Sequence, residues 1–234
     1  VPDHCRDPYR DQVKANEASF FGMIANIDQN LGRLDRYLHQ NGLHENTILI
    51  FMTDNGTASG ENVFNADMRG KKSSLYEGGH RVPFFVRWPD GNIQGGRDVE
   101  GLTRGTDLLP TLIDLCGLDL PDGLSFDGLS LADPLQTGQP VSTERISVVQ
   151  FGHPNEGIWG YTAEDQAAVM WQHRRLVNGH ELYDVNTDPG QSNDLSADHP
   201  DIVSRLHDHY QSWWDGVGQN LDRYHSLTIG TANE

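Results

Sequence analysis

Seven consecutive uncharged residues, Thr47-Ile48-Leu49-Ile50-Phe51-Met52-Thr53, run straight into Asp54-Asn55-Gly56. The run is β-branched and aromatic and shows no polar alternation, the pattern of a parallel strand covered on both faces. Residues 12–40 precede it with apolar positions Phe20, Ile24, Ile27, Leu31, Leu34 and Leu38 spaced by four and three, while Asn26, Gln29, Asn30, Arg33 and Arg36 occupy the other sides. That spacing predicts an amphipathic helix, stopped by Asn41-Gly42. A helix feeding a buried strand places the chain in the α/β class. In such folds ligands and metals bind where strands open onto loops, and Asp54 and Asn55 stand at that edge with two adjacent oxygen donors.

Sixteen residues beyond Asn55 begins Lys71-Lys72-Ser73-Ser74-Leu75-Tyr76-Glu77-Gly78-Gly79-His80-Arg81-Val82-Pro83, a basic, glycine-broken segment that feeds a second apolar strand, Val82–Trp88. Of three lysines in the chain, two are Lys71 and Lys72, and Arg69, Arg81 and Arg87 lie close by. The rest is acidic: the net charge is −17 and the pI about 4.8. Such a charge argues against general nucleic-acid binding, and it repels anions, so an anion site has to be built from local cations. On charge clustering alone, a solvated basic loop is the default reading. The juxtaposition of Asp54-Asn55 with this segment points instead to a hard cation and an anion held side by side.

Thr106-Asp107 caps a helix running to Leu115 and closed by Gly117, with Cys116 expected in its apolar pattern as a core thiol. Neither Cys5 nor Cys116 has a disulfide or metal-ligand spacing. No stretch approaches the ~20 apolar residues of a membrane span. Residues 117–142 are rich in Gly, Pro, Asp and Ser, and the pattern then changes to short strands, Ile146–Phe151, Ala167–Gln172, Arg175–Val177 and Glu181–Val185, with a hairpin turn at Asn178-Gly179. A last helix opens at Asp198-His199-Pro200 and carries Ile202, Val203, Leu206, Tyr210, Trp213 and Trp214 along one side. The expected division is residues 1–140, an α/β domain portion, and residues 141–234, a small antiparallel sheet with one packing helix.

Taken in order, these residues resemble the C-terminal half of a sulfatase of the arylsulfatase type, in the alkaline phosphatase superfamily. The segment 20–42 is similar to the family's helix before the metal strand, Phe51–Gly56 to its metal motif, and Lys72-Ser73-Ser74-Leu75-Tyr76-Glu77-Gly78-Gly79 to its lysine-bearing segment. Asp107-Leu108-Leu109-Pro110-Thr111-Leu112 and Phe126-Asp127-Gly128-Leu129-Ser130-Leu131 resemble two further signatures, and Glu181-Leu182-Tyr183-Asp184 with Asp188-Pro189-Gly190 resembles a late hairpin. The resemblance implies an alkaline-phosphatase-like mixed sheet flanked by helices. It also implies hydrolysis of sulfate monoesters by a formylglycine nucleophile and a metal, Ca²⁺ or Mg²⁺, with Asp54 and Asn55 as metal ligands and Lys72 on the sulfate. The partners so implied are a sulfated small molecule or carbohydrate.

The chain departs from that pattern in two respects. The family makes its nucleophile in a Cys-x-Pro-x-Arg motif, which Cys5-Arg6-Asp7-Pro8 and Cys116-Gly117-Leu118-Asp119 do not match. The family's N-terminal metal aspartates are missing too. The expectation is therefore a chain inactive alone, completed by an N-terminal half of the same protein, with export to the periplasm or secretion implied by the family. Two alternatives stand beside it: a phosphomonoesterase or phosphodiesterase of the same superfamily, for which Asp-His in place of Asp54-Asn55 is the commoner motif, and a non-catalytic binding remnant. His80 reads either as a substrate contact or as a hydrogen-bonded structural histidine, with His153 similar. Arg81 is expected to pair with Glu77, and Lys71 to be solvated. The other histidines, including His4, His173, His199 and His207, read as scattered surface groups. Asn55-Gly56-Thr57 is the only glycosylation sequon, but a buried metal ligand could not carry a glycan.

Overall fold

The computed structural model describes residues 1–150 and 166–218. Helix α1 (Asp3–Arg6) and a 3-10 turn lead into α2 (Ala15–Gln40). The Glu17 carboxylate accepts the Lys14 N–H at 3.1 Å, engaging a donor at the helix entry. At the other end Asn41 Nδ2 donates to the Tyr37 carbonyl at 2.8 Å, and Gly42 takes φ +67° to turn the chain away. α2 packs on α1 through Cys5, Ala18 and Gly22, where a Cβ would come within 3.0 Å of the Arg6 Cα. The expected apolar stripe is real but unevenly covered. Leu38 is buried, whereas Ile24, Ile27 and Leu34 remain 50%, 49% and 42% exposed.

Strand β1 (Leu49–Met52) pairs with β2 (Phe84–Arg87) in register Leu49↔Arg87 to Met52↔Phe84. The pair is antiparallel and only partly covered, with Phe85 65% exposed, where the sequence pattern predicted buried, parallel strands. An unbroken apolar run reports apolar faces; strand direction is decided by the connection, which here returns through residues 53–83 and the short helix α3 (Glu77–His80).

Helix α4 (Leu108–Cys116) ends as predicted, with Gly117 in the left-handed region. Two details differ. Asp107 makes no side-chain cap on α4; its carboxylate accepts the Arg104 N–H, the Leu129 N–H and both Arg145 Nη groups. Cys116 is exposed, because the buried stripe of α4 is taken by Thr111 and Leu115 and the next residue falls about 100° around the helix. The stretch expected to be irregular contains a further short helix, α5 (Ala132–Thr137). The two signatures around α4 form one unit, since the Leu131 N–H donates to Thr111 Oγ1 at 2.8 Å.

The last part is an antiparallel meander, β3 (Ile146–Gln150), β4 (Ala167–Trp171), β5 (Arg174–Val177) and β6 (Glu181–Asp184), followed by α6 (Pro200–Gly218). Asn178 and Gly179 both have positive φ, 53° and 73°, the tight hairpin turn expected between β5 and β6. Phe151, the expected end of β3, lies outside the described residues. One sheet face packs Ala167, Val169, Leu176 and Leu182 against Leu206 and Tyr210 of α6, with Trp213 and Trp214 at the margin, so the tryptophan pair is packing. The other face sets Ala168, Val177 and Tyr183 against Leu75 and Tyr76 of the lysine-bearing segment. That contact joins the two parts of the chain and positions the site. The architecture is α/β with antiparallel pairing, as the fold class anticipated in outline.

Candidate active site

β1 delivers Asp54 and Asn55 into a loop whose backbone is stitched to the lysine segment. The Gly56 N–H donates to the Gly79 carbonyl at 3.0 Å, and the Lys72 N–H to the Thr57 carbonyl at 2.9 Å. The approach is so close that a Cβ on Gly56 would collide with the Gly78 carbonyl oxygen, and one on Gly79 with that of Ser74. Glycine at 78 and 79 is thus required by backbone proximity and not by a left-handed turn, which neither adopts.

The lysine segment is anchored from the far side. Glu77 is fully buried; its N–H donates to Gln191 Oε1 at 2.7 Å and its Oε1 accepts from Arg175 Nε at 2.5 Å. Arg81, the partner expected from sequence, is a weaker one, 3.6 Å away and largely exposed. Arg175 lies 98 residues from Glu77 in sequence, so no local spacing signals the pair. Arg69 Nη1 donates to the Gln191 carbonyl at 2.9 Å and to the Tyr183 hydroxyl at 3.3 Å, and its guanidinium stacks on the Tyr76 ring. Both tyrosine hydroxyls donate to Glu181 Oε2. Burial, then the Glu181 hydrogen bond, pushes the Tyr183 hydroxyl up to about 12. The late hairpin signature therefore clamps the lysine segment.

Asp54, Asn55, Lys72 and His80 all line one cavity of ≈ 1250 Å³. Among the described residues, no hydrogen bond or ion pair engages the side chains of Asp54, Asn55 or Lys72. The other basic residues of the cluster are occupied: Lys71 by Glu61 at 2.5 Å, Arg87 by Asp35 at 2.7 Å, Arg81 by Glu77 and Arg69 as above. Lys71 is exposed to solvent, as expected, and pairs there with Glu61. Asp54 and Lys72 are exposed and Asn55 half-buried. An adjacent carboxylate and amide oxygen, both uncommitted, fit a hard divalent cation.

His80 is the hydrogen-bonded histidine of its second reading, and it also lines the cavity. Its Nε2 is 3.1 Å from the Leu75 carbonyl, so that nitrogen donates and Nδ1 keeps a lone pair. Burial lowers its pKa despite the nearby Glu77, leaving the ring neutral at pH 7. His153 lies outside the described residues. Sequence reasoning missed the charged and titratable groups that line the cavity from elsewhere, among them Arg104 ahead of α4 and His173 in the β4–β5 turn. His173, expected at the surface, stands 3.4 Å from Asp184 Oδ2 and lines the cavity. Neither has a spacing that could have found it, since tertiary packing alone brings them there.

Family models match at two overlapping places: one described as sulfatase at residues 3–118, and one described as N-sulphoglucosamine sulphohydrolase, C-terminal, at residues 70–213. An arylsulfatase of Clostridium perfringens is 29% identical over 186 residues, covering 78% of this chain and 36% of the relative. An N-acetylgalactosamine-6-O-sulfatase of Bacteroides thetaiotaomicron is 29% identical over 205 residues, covering 79% of this chain and 39% of the relative. Among solved structures, Ps i-CgsB in complex with k-i-k-neocarrahexaose aligns with a TM-score of 0.81 at 21% identity, over 97% of this chain and 49% of that one. The chain thus spans well under half the length of these two curated relatives and about half of the solved chain.

Proposed function

Because this chain belongs to the sulfatase family, through matches that together run from residue 3 to residue 213, we propose that it is the C-terminal portion of a metal-dependent sulfatase that hydrolyses sulfate monoesters. One observation carries the reading: Asp54, Asn55 and Lys72 line one cavity with uncommitted side chains, while the surrounding basic residues are paired off. In this reading residues 1–140 belong to the catalytic α/β domain, residues 141–234 form a small C-terminal subdomain, and an N-terminal half of the same protein completes the site. Export to the periplasm or secretion belongs to the same reading and rests on family resemblance alone.

Asp54 and Asn55 would hold the metal, Ca²⁺ or Mg²⁺. Two oxygens are too few for the six to eight that Ca²⁺ takes, so further ligands come from the N-terminal half. The metal, when bound, supplies Lewis-acid polarisation of a sulfate oxygen. The nucleophile is assigned by resemblance to a formylglycine outside this chain, since neither Cys5 nor Cys116 stands in its motif. Lys72 neutralises charge on a sulfate oxygen, and its stabilisation grows as the S–O bond to the leaving alcohol breaks. His80, neutral and tied to Leu75, offers Nδ1 as an acceptor and so orients a substrate hydroxyl. A relative named as an N-acetylgalactosamine-6-O-sulfatase and a solved neighbour in complex with D-glucosamine-2-N,6-O-disulfate favour a sulfated carbohydrate as the substrate class.

The test is hydrolysis by the full-length protein of p-nitrophenyl sulfate against p-nitrophenyl phosphate, alongside Asp54→Ala. Sulfate-ester turnover that falls in Asp54→Ala is the expected result. Preferential phosphate-ester turnover would transfer the site to a phosphoesterase, and no turnover of either ester or of sulfated sugars would leave a binding remnant. The 234-residue chain alone is expected to show no turnover above its own Asp54→Ala control.

A further inference from the structure

The histidines looked scattered in the sequence, yet two of them meet at the far end of α2. Asp35 and His39 are four apart and share a helix face, and His44 lies in the connection to β1, folded back so that its ring sits over that of His39 with centroids 3.7 Å apart and planes tilted by 33°. Asp35, His39 and His44 each present a donor atom within 4.8 Å of the other two. A tetrahedral cation with bonds of about 2.0–2.2 Å needs donors roughly 3.3–3.5 Å apart. Closing the trio through Nε2 takes a rotation of the partly exposed imidazoles, since Nδ1 is the His39 nitrogen that lies 3.6 Å from Asp35 Oδ2.

The surroundings already carry the outer partners such a site uses. His39 Nδ1 donates to the Asp35 carbonyl at 2.9 Å, and His44 Nδ1 donates to the Glu45 carboxylate at 3.0 Å. With Nδ1 protonated on both rings, each keeps a lone pair on Nε2, the tautomer in which histidine ligates a metal while its other nitrogen is held by an oxygen. Arg87 takes Asp35 Oδ1 at 2.7 Å, and Oδ2 stands 3.6 Å from His39 Nδ1. Arg87 is a charge opposed to a cation; Asp35 and Glu45 outweigh it locally, and the C-terminal end of α2 adds its negative dipole.

We propose that Asp35, His39 and His44 form a binding site for a zinc-type divalent cation, which ties the end of α2 to the loop entering β1. The site is distinct from Asp54–Asn55 in place and in chemistry. None of the three residues lines the cavity, and imidazole donors select borderline transition metals where carboxylate and amide oxygens select Ca²⁺ or Mg²⁺.

Zinc chloride titrated into the purified protein by calorimetry tests this. One equivalent should bind through these residues, and His39→Ala and His44→Ala should each weaken that event by more than the ~10-fold that losing an outer-shell partner costs. Glu45→Gln should weaken it by about 10-fold. Zinc at 100 times its Kd should raise the melting temperature by about 5–10 °C, and this rise should vanish in both histidine variants. Asp54→Ala should bind zinc like the parent. Zinc affinity unchanged in His39→Ala and His44→Ala, or lost only in Asp54→Ala, would overturn the assignment, as would a parent protein that takes up no zinc.

Discussion

Two sets of charged residues at and behind the cavity wall differ in how they are held. Glu77 with Arg175 and Asp107 with Arg145 are buried, and the second pair is a two-pronged fork with Nη1 and Nη2 at 2.7 and 2.6 Å from the two carboxylate oxygens. Asp54, Asn55 and Lys72 are open to the cavity and engaged by nothing among the described residues. Buried charges have to be paired because desolvation costs several kcal/mol per ion. Open charges can stay unpaired because water solvates them, and they remain available to a ligand. One set therefore holds the frame together, and the other is free to do chemistry. Stability measurements should report the first set and turnover the second.

The largest separation should come from breaking the fork. Arg145→Met strands a buried carboxylate that also accepts the Arg104 and Leu129 N–H groups, and should cost about 3–5 kcal/mol of stability by urea denaturation. The pH dependence has a definite sign. Burial by itself would raise the Asp107 pKa, but the Arg145 hydrogen bond, the two N–H groups and the Arg145 charge outweigh it, so the folded-state value lies below the usual carboxylate range. A depressed folded pKa contributes stability above the unfolded value of about 3.9 and loses it as pH falls through the folded one. The parent should therefore weaken on acidification below about pH 4, and Asp107→Asn should flatten that limb. A parent and Asp107→Asn with parallel acid limbs would show the fork to be energetically idle.

The second contrast lies within one dipeptide. If the proposed function holds, Lys72→Ala in the full-length protein should lower kcat by roughly 10²-fold or more, the order seen when one transition-state charge stabiliser is removed. Lys71→Ala should change it little, because its ammonium is spent on Glu61. Equal small losses in both would place the basic segment outside the chemistry.

Legibility in the sequence followed the range of the interaction. α2, the Asn178-Gly179 turn, the C-terminal meander and the stripe of α6 are local patterns, and each stands where its period or turn chemistry puts it. Motif context singles out Asp54, Asn55, Lys72 and His80, and all four line one cavity. What escaped was long-range or geometric. The antiparallel pairing of β1 with β2 depends on a connection, not a residue pattern. The Glu77–Arg175 pair spans 98 residues, and His173 reaches the cavity only because the β4–β5 turn does. Cys116 stands one helical step off the buried stripe, and the close approach of the Ser74 carbonyl to Gly79 is a backbone contact that residue patterning does not report.

The smallest expected effect is the sharpest test of the comparison. Asp54 is exposed and unengaged among the described residues, so Asp54→Ala removes a charge without removing a contact, and in an acidic protein it relieves a little self-repulsion. Its stability by urea denaturation, with metal chelated, should stay within about 0.5 kcal/mol of the parent. Adding Ca²⁺ to the full-length protein should then open a gap, because a cation that binds only the folded parent stabilises it in proportion to the logarithm of its concentration over Kd, and the variant forgoes that gain. A large loss in the chelated state would mean that Asp54 is a structural residue held by contacts of its own. No gap on adding either Ca²⁺ or Mg²⁺ would mean that it ligates neither metal.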